Sequence, residues 1–214
     1  MRIQFPQQYP HQHPPYKTWK FGPWKTSELE IQDLFKSWLA ISVAFGIVLG
    51  GTEKLFSSAF INEFLIAALT VGVGFIFHEM GHKIVAQRYG CFAEFRSFNT
   101  MLVLAIAMSF FGFVFAAPGA VMIAGSHVDR IRNGRISVAG PLVNIILAVI
   151  FLGIHYATGS TSILLQYGFM INTWLALFNM FPLGPLDGKK VLAWNKGIFA
   201  IIIIAALVLM QFSF

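Results

Sequence analysis

The amino-acid sequence predicts an all-α membrane protein with about five to six transmembrane helices and one re-entrant segment that contains a short β-strand region. The first observation behind this prediction is composition, because 57% of the 214 residues are hydrophobic and only 11% are charged. Soluble domains carry about 25% charged residues. The second observation is that the apolar residues form long runs, several of them near the roughly 20 residues that span a bilayer as a helix. The lipid bilayer is therefore the expected environment of most of this chain.

The chain divides by composition into a flexible polar N-terminal tail, residues 1–30, and a single transmembrane domain, residues 31–214. The tail is rich in Pro, Gln, His and aromatic residues and has no apolar signal-peptide core, so we expect it to stay on the mature protein in the cytosol. At its end, Ser27 and Glu30 have the spacing of a helix N-cap and its partner. We therefore expect a helix to begin next to Ser27.

Five apolar runs are candidate membrane-spanning helices. They are residues 38–51, 64–85, 136–157, 163–181 and 198–214. A sixth apolar stretch, residues 101–124, has no charge, but Gly112, Pro118 and Gly119 interrupt it, and residues 113–116 favour a strand over a helix. This sixth stretch either crosses the membrane once or dips into it and returns to the same face.

The distribution of basic residues separates these two topologies. A re-entrant stretch places fourteen of the fifteen Lys and Arg residues on the side of the N-terminus, with Lys54 as the exception. A single crossing places only eight of them there. Because basic residues accumulate on the cytosolic side of a membrane, we predict the re-entrant topology, with the N-terminus in the cytosol. The net charge of +6 then belongs to loops beside the spans, where it contacts anionic lipid, and nucleic acid is not an expected partner.

One candidate span carries three ionisable residues close together, His78, Glu79 and His82. On a helix, His78 and His82 lie one turn apart on the same face, so both imidazoles can bind one metal ion. Glu79, beside them, can take a proton from a metal-bound water, which is the general-base role in zinc proteases. Ionisable residues at this depth in a membrane are costly and usually functional. Because catalytic zinc usually has three protein ligands, the sequence must supply one more.

Few side chains downstream can complete this site. The possible donors after His82 are Cys91, Glu94, His127, Asp129, His155 and Asp187. Most of them lie in a basic loop, stand alone near the end of an apolar run, or follow the metal-binding helix too closely to fold back on it. Asp187 differs, because the preceding Pro and Gly residues break the helix and can turn its carboxylate inward. We therefore predict that His78, His82 and Asp187 bind one zinc ion per chain, with Glu79 as the catalytic base.

Three segments resemble, in order, the signature motifs of the site-2 protease family of intramembrane zinc metalloproteases. They are residues 78–82 (HEMGH), 139–144 (AGPLVN) and 179–188 (NMFPLGPLDG). The resemblance covers about residues 35–195 and leaves out the N-terminal tail. It implies that the two His residues and the Asp of these motifs bind Zn²⁺, that the Glu is catalytic, and that the substrate is a transmembrane segment of another protein. The active-site face is expected on the cytosolic side.

Asn144 and Asn179, in the second and third motifs, have two interpretations. They can hydrogen-bond neighbouring helices, which is an ordinary use of Asn in membranes. The resemblance implies instead that they support the site or the substrate. Both interpretations stay open on the sequence alone.

The stretch that includes Phe113, Val114, Phe115 and Pro118 is a candidate for substrate binding. A transmembrane helix must unwind before its backbone can be attacked, and unwound backbone in lipid needs new hydrogen-bond partners. An open strand edge in this stretch would bind the substrate in extended form. The alternative is that the stretch only plugs the helix bundle.

Two other functions could use the same metal ligands. One is a membrane zinc enzyme whose third ligand is a downstream Glu, and the scarcity of Glu after His82 counts against it. The other is a metal-binding transporter or an inactive relative. A transporter needs ionisable residues along a path through the membrane, whereas here they cluster at one depth. The presence of Glu79 argues against the inactive form.

Overall fold

The computed structural model describes residues 17–22, 24–114, 117–125 and 128–212. These residues are mostly helical, which confirms the prediction of a mainly α-helical protein. The helices are α1 (Glu28–Gly50), α2 (Phe60–Ala67), α3 (Val73–Arg88), α4 (Asn99–Ser109), α5 (Arg130–Thr158), α6 (Ile163–Asn179), α7 (Asp187–Trp194) and α8 (Lys196–Leu209). The strands are β1 (Thr18–Phe21), β2 (Trp24–Ser27), β3 (Phe92–Ser97) and β4 (Gly119–Ala124). They form two antiparallel pairs, β1 with β2 and β3 with β4.

Three helical segments among the described residues are long and apolar enough to cross a membrane, and they indicate a membrane protein. They are Glu28–Gly50, Phe60–Arg88 and Arg130–Thr158. The first begins ten residues before the predicted run at residue 38, because the capping signal at Ser27 outweighs the charges that follow it. Two further predicted spans correspond to shorter helices, α6 with 17 residues and α8 with 14. Crossing by these two helices stays a prediction.

The N-terminal region contains an unexpected hairpin. Strands β1 and β2 pair through the turn that contains Gly22, whose φ of 59° suits glycine. The sequence around this turn is rich in Thr and Trp, which favour strands. The polar composition of the tail as a whole led instead to the prediction of a flexible segment. The hairpin leads directly into α1, where the Ser27 hydroxyl oxygen accepts a hydrogen bond from the Glu30 N–H at 3.2 Å. The predicted N-cap is therefore confirmed, and ordered structure begins inside the predicted tail.

A π-helical segment, Ala68–Gly72, joins α2 to α3 and makes one continuous helix of Phe60–Arg88. Such segments loosen the regular hydrogen-bond ladder and are frequent at functional sites. Here the indole N–H of Trp38 donates to the Ala68 carbonyl at 3.1 Å. The Thr70 hydroxyl donates to the Ile66 carbonyl at 2.6 Å. The segment lies shortly before the predicted metal ligands and so helps to set which face of α3 they occupy.

The β-strand predicted in the stretch around Phe113 starts later than expected. Phe113 and Val114 lie outside any strand, and Phe115 lies outside the described residues. Strand β4 begins only after Pro118, which has no N–H to donate to a ladder. The sequence did not predict the partner strand β3. Just beyond the paired strands, the N–H of Phe98 donates a hydrogen bond to the Pro118 carbonyl at 2.9 Å.

Candidate metal site

The metal site is assembled from α3 and the start of α7, which both pack beside α5. Helix α3 carries His78, Glu79 and His82, and Asp187 is the first residue of α7. The Nε2 atoms of His78 and His82 lie 3.1 Å apart. The Oδ2 atom of Asp187 lies 3.4 Å from the His78 Nε2 and 3.0 Å from the His82 Nε2. The structure thus brings together the two histidines and the acidic residue that the sequence predicted, and all of them are buried.

The outer ring nitrogens of the two histidines are both occupied. The Nδ1 of His78 lies 2.6 Å from the Asn144 Oδ1, and the Nδ1 of His82 lies 2.8 Å from the Ile136 carbonyl oxygen. Because both partners are acceptors, each Nδ1 carries the proton and donates, which leaves each Nε2 as an unprotonated lone pair. Metal-binding histidines in proteins are usually held in this way.

The donor set at the centre of the site fits a zinc ion. Two Nε2 lone pairs and a carboxylate oxygen converge, and three acceptors at such short separations need a cation between them. Gly140 of α5 keeps this space free, because a Cβ at that position would lie 2.5 Å from the Nε2 atoms of both histidines. Among the described residues, His78, His82 and Asp187 form the group that could hold a metal ion.

Glu79 lies beside this group and faces β4. The backbone of Val121 lies next to its carboxylate. Glu79 is buried but lines the cavity that also exposes the three candidate ligands. Its position therefore allows a proton transfer to or from a group bound in that cavity.

The cavity above the metal site has a volume of about 580 Å³. Its polar lining includes Asn144 and Asn179, and Val114 and Pro118 also contribute to its wall. Phe113 does not line the cavity and is 53% exposed. The remaining wall is largely apolar, with residues of α1, α3 and α6, so the space suits an apolar ligand.

The two predicted support residues have different surroundings. Asn144 is fully buried and contacts a candidate ligand through the bond to His78. Asn179 donates from its Nδ2 to the Leu175 carbonyl in its own helix at 2.9 Å and lies on the cavity wall. The structure therefore places Asn144 next to a candidate ligand and Asn179 on the wall of the cavity.

The other downstream donors are engaged elsewhere. Glu94 pairs with Arg96, and Asp129 caps α5 by accepting from the Arg132 N–H at 2.7 Å. The Nδ1 of His155 hydrogen-bonds the Ser160 carbonyl at 2.8 Å near the end of α5. Cys91 is buried in an apolar cluster and does not belong to the group of described residues that could hold a metal ion. His127 lies outside the described residues.

Sequence reasoning missed two polar residues that bear on the site. Asn172 of α6 is fully buried and accepts a hydrogen bond from Asn144 at 3.0 Å. The signal was an Asn in the middle of an apolar run, which is costly in lipid unless it is paired. Lys190, which the sequence shows only as one basic residue among several, has its Nζ 3.8 Å from the Oδ1 atom of Asp187.

Several curated proteins are similar to this chain in sequence. A Methanocaldococcus jannaschii protein named "putative zinc metalloprotease" is 42% identical over 180 residues, which cover 82% of this chain and 90% of that relative. A Bacillus subtilis protein of the same description is 30% identical over 149 residues, or 58% of this chain and 66% of the relative. A second M. jannaschii protein, named "zinc metalloprotease", is 26% identical over 153 residues, or 70% of this chain and 39% of the relative. No protein-family model and no solved structure matches the chain.

Proposed function

This chain belongs to a family of zinc metalloproteases, and from that premise we propose that it is an intramembrane zinc endopeptidase. It hydrolyses a peptide bond within or next to a transmembrane segment of a substrate protein. The observation that carries the proposal is the convergence of His78, His82 and Asp187 beside Glu79, on a helix apolar enough to span a membrane.

The chemistry follows from the positions of these side chains. His78, His82 and Asp187 would hold one zinc ion, which would supply Lewis acidity toward a scissile carbonyl and toward the attacking water. The Glu79 carboxylate accepts a proton from the attacking water as its oxygen bonds to the scissile carbonyl carbon. Glu79 then delivers this proton to the amide nitrogen, which leaves as an amine when the C–N bond breaks.

The substrate is proposed to bind as an extra strand along β4. Phe95 and Val121 face each other across the sheet, and their N–H groups point away from the partner strand, toward Glu30 and Glu79 respectively. Helix α1 covers the β3 edge, because Glu30 accepts from the Phe95 N–H at 2.9 Å and Asp33 from the Ser97 hydroxyl at 2.6 Å. The β4 edge faces the cavity instead. A peptide paired with that edge would present its scissile bond in extended form beside the metal site.

We propose that the protein is an integral, multi-pass membrane protein. Its N-terminus and active-site face lie on the cytosolic side. The bond between Phe98 and Pro118 supports the re-entrant topology, because it brings together the two ends of the segment that contains α4. This segment exposes large apolar side chains, with Val103 69% and Phe111 80% exposed. Such side chains suit contact with lipid.

The test is zinc content and cleavage measured on the same purified protein. Wild-type protein should hold about one zinc per chain and cleave a membrane-spanning test substrate. The Glu79→Gln variant should retain the metal and lose cleavage, whereas Asp187→Ala should lose most of the metal. Matched controls are Glu63→Gln, which breaks a pair with Lys54, and Asp129→Asn at the start of α5.

Both controls should keep zinc and cleavage. Full zinc occupancy in Asp187→Ala would refute the ligand assignment. Undiminished cleavage by Glu79→Gln would refute the catalytic base. Cleavage of soluble peptides but of no membrane-spanning substrate would refute the intramembrane assignment.

A further inference from the structure

We infer that Asn172 is a positioning residue of the metal site. By orienting the side-chain amide of Asn144, it keeps the Nε2 atom of His78 unprotonated and free to bind the metal. The inference rests on the proposed function, since it concerns the same zinc site. Asn172 lies on α6, Asn144 on α5 and His78 on α3, so three helices meet in this contact. Both asparagines are fully buried.

The hydrogen bonds between these residues run in one direction. The Nδ2 of Asn172 donates to the Gly168 carbonyl at 2.9 Å, which leaves its Oδ1 as an acceptor. The Nδ2 of Asn144 donates to this Oδ1 at 3.0 Å and to the Gly74 carbonyl at 3.2 Å. The Oδ1 of Asn144 then faces the Nδ1 of His78 at 2.6 Å.

The orientation of the Asn144 amide decides whether His78 can bind a metal. With Oδ1 against the ring, the His78 Nδ1 carries the proton and Nε2 offers a lone pair to the metal. A flipped amide would put an N–H donor against Nδ1, which would move the ring proton to Nε2 and block that ligand. Two acceptors hold Asn144 in the productive orientation, and Asn172 supplies one of them.

The backbone at Gly74 leaves space for the side-chain amide of Asn172. Gly74 lies one turn before His78 on α3, and a Cβ at Gly74 would collide with the Asn172 Oδ1. The Gly74 carbonyl is also the second acceptor for Asn144. Gly74 therefore supports the Asn144–Asn172 hydrogen bond in two ways. It leaves space for the Asn172 side chain, and its carbonyl accepts a second hydrogen bond from Asn144.

The experiment compares zinc affinities of variants at Asn172 by competition with a chelator on the purified, detergent-solubilised protein. Asn172→Leu keeps the size of the side chain but removes the acceptor, and it should weaken Zn²⁺ binding about tenfold, the lower end for outer-shell partners of metal ligands. Asn172→Asp should remain within about twofold of wild type, because a neutral carboxyl reproduces the donor and acceptor of the amide.

The matched control is Thr173→Val on the same helix. Thr173 is equally buried, but its hydroxyl donates to the Phe169 carbonyl within α6 at 2.8 Å and is not part of the path to His78. This variant should bind zinc as wild type does. A second readout is the tautomer of His78 in the zinc-free protein, from NMR of ¹⁵N-labelled histidine, which should shift toward Nε2–H in Asn172→Leu alone.

Equal zinc affinities and tautomers in Asn172→Leu and Thr173→Val would overturn the inference while the zinc site itself stands. An Asn172→Asp variant as weak as Asn172→Leu would overturn it as well. If Asn172→Leu does not fold, Asn172→Ser, whose side chain is too short to reach Asn144, takes its place with the same expected loss. A wild-type protein that holds no zinc would refute the proposed function and, with it, this inference.

Discussion

The carboxylate of Glu30 and the ammonium group of Lys83 form an ion pair that is buried between α1 and α3, one residue beyond His82. Glu30 is fully buried and also accepts hydrogen bonds from the Thr26 hydroxyl at 2.7 Å and the Phe95 N–H at 2.9 Å. One carboxylate therefore joins the N-terminal hairpin, the start of α1, the metal-binding helix and β3. The orientation of β4 relative to Glu79 depends on this junction, because β4 pairs with β3.

Removal of one partner of this pair should be strongly destabilising. We expect Lys83→Met to lower the free energy of unfolding by about 3–5 kcal/mol, because it leaves the Glu30 charge buried and uncompensated. The double variant Glu30→Gln, Lys83→Met should recover part of that loss. Equilibrium unfolding of the detergent-solubilised protein measures both.

The control for this prediction is Lys36→Met. Lys36 pairs with Asp33 on the same helix at 3.0 Å, but its side chain is 46% exposed. Exposed pairs contribute about 0–1 kcal/mol, so this variant should be nearly as stable as wild type. The interpretation of the Glu30 junction fails if Lys83→Met is no less stable than Lys36→Met.

Two glycines of α5 should respond in opposite ways to the same substitution. Gly140→Ala places a methyl group 2.5 Å from the ligand atoms of both histidines, so we expect it to abolish zinc binding. Gly153→Ala adds the methyl group to open space, where it should leave zinc binding intact and stabilise the helix by up to about 1 kcal/mol. Zinc content and unfolding measured on both variants check this prediction, and zinc retained by Gly140→Ala would contradict it.

Strand addition at β4 predicts a stepwise crosslinking pattern. Cysteines at Ala120 and Met122, in a Cys91→Ser and Glu79→Gln background, lie two residues apart on one face of β4. Against a cysteine scanned along an uncleaved substrate, the preferred crosslink should advance by two positions between them. A cysteine at Phe92 is the control, because it lies on β3, which β4 separates from the proposed substrate strand. Equal crosslinking at Phe92, or no stepwise advance, would remove the strand-addition proposal.

The two ends of α5 should lie on opposite sides of the membrane. This helix has 29 residues and runs from its cap at Asp129 to its C-terminal cap at Gly159, a length of about 43 Å. Reporter fusions after Asp129 and after Lys190 should both report the cytosol, and one after Gly159 the external side. An external signal from the Asp129 fusion would exclude the re-entrant topology of residues 101–124.

By itself, the sequence determined the membrane class, the N-cap at Ser27 and the shared helix face of His78 and His82. These features depend on composition and on residues within about one helical turn, so the local pattern is sufficient to predict them. The choice of Asp187 among the downstream donors used more than local pattern, because it rested on the helix-breaking residues before it and on the family resemblance.

Only the tertiary structure decided how the elements meet. The pairing of Glu30 with Lys83 joins residues 53 positions apart, and the hydrogen bond from His78 to Asn144 joins residues 66 apart. The partner of β4 and the role of Asn172 likewise depend on how separate helices and strands pack. The sequence presents these polar residues singly, and their partners are chosen by packing, because a buried polar group in a membrane must find whichever donor or acceptor the neighbouring element offers.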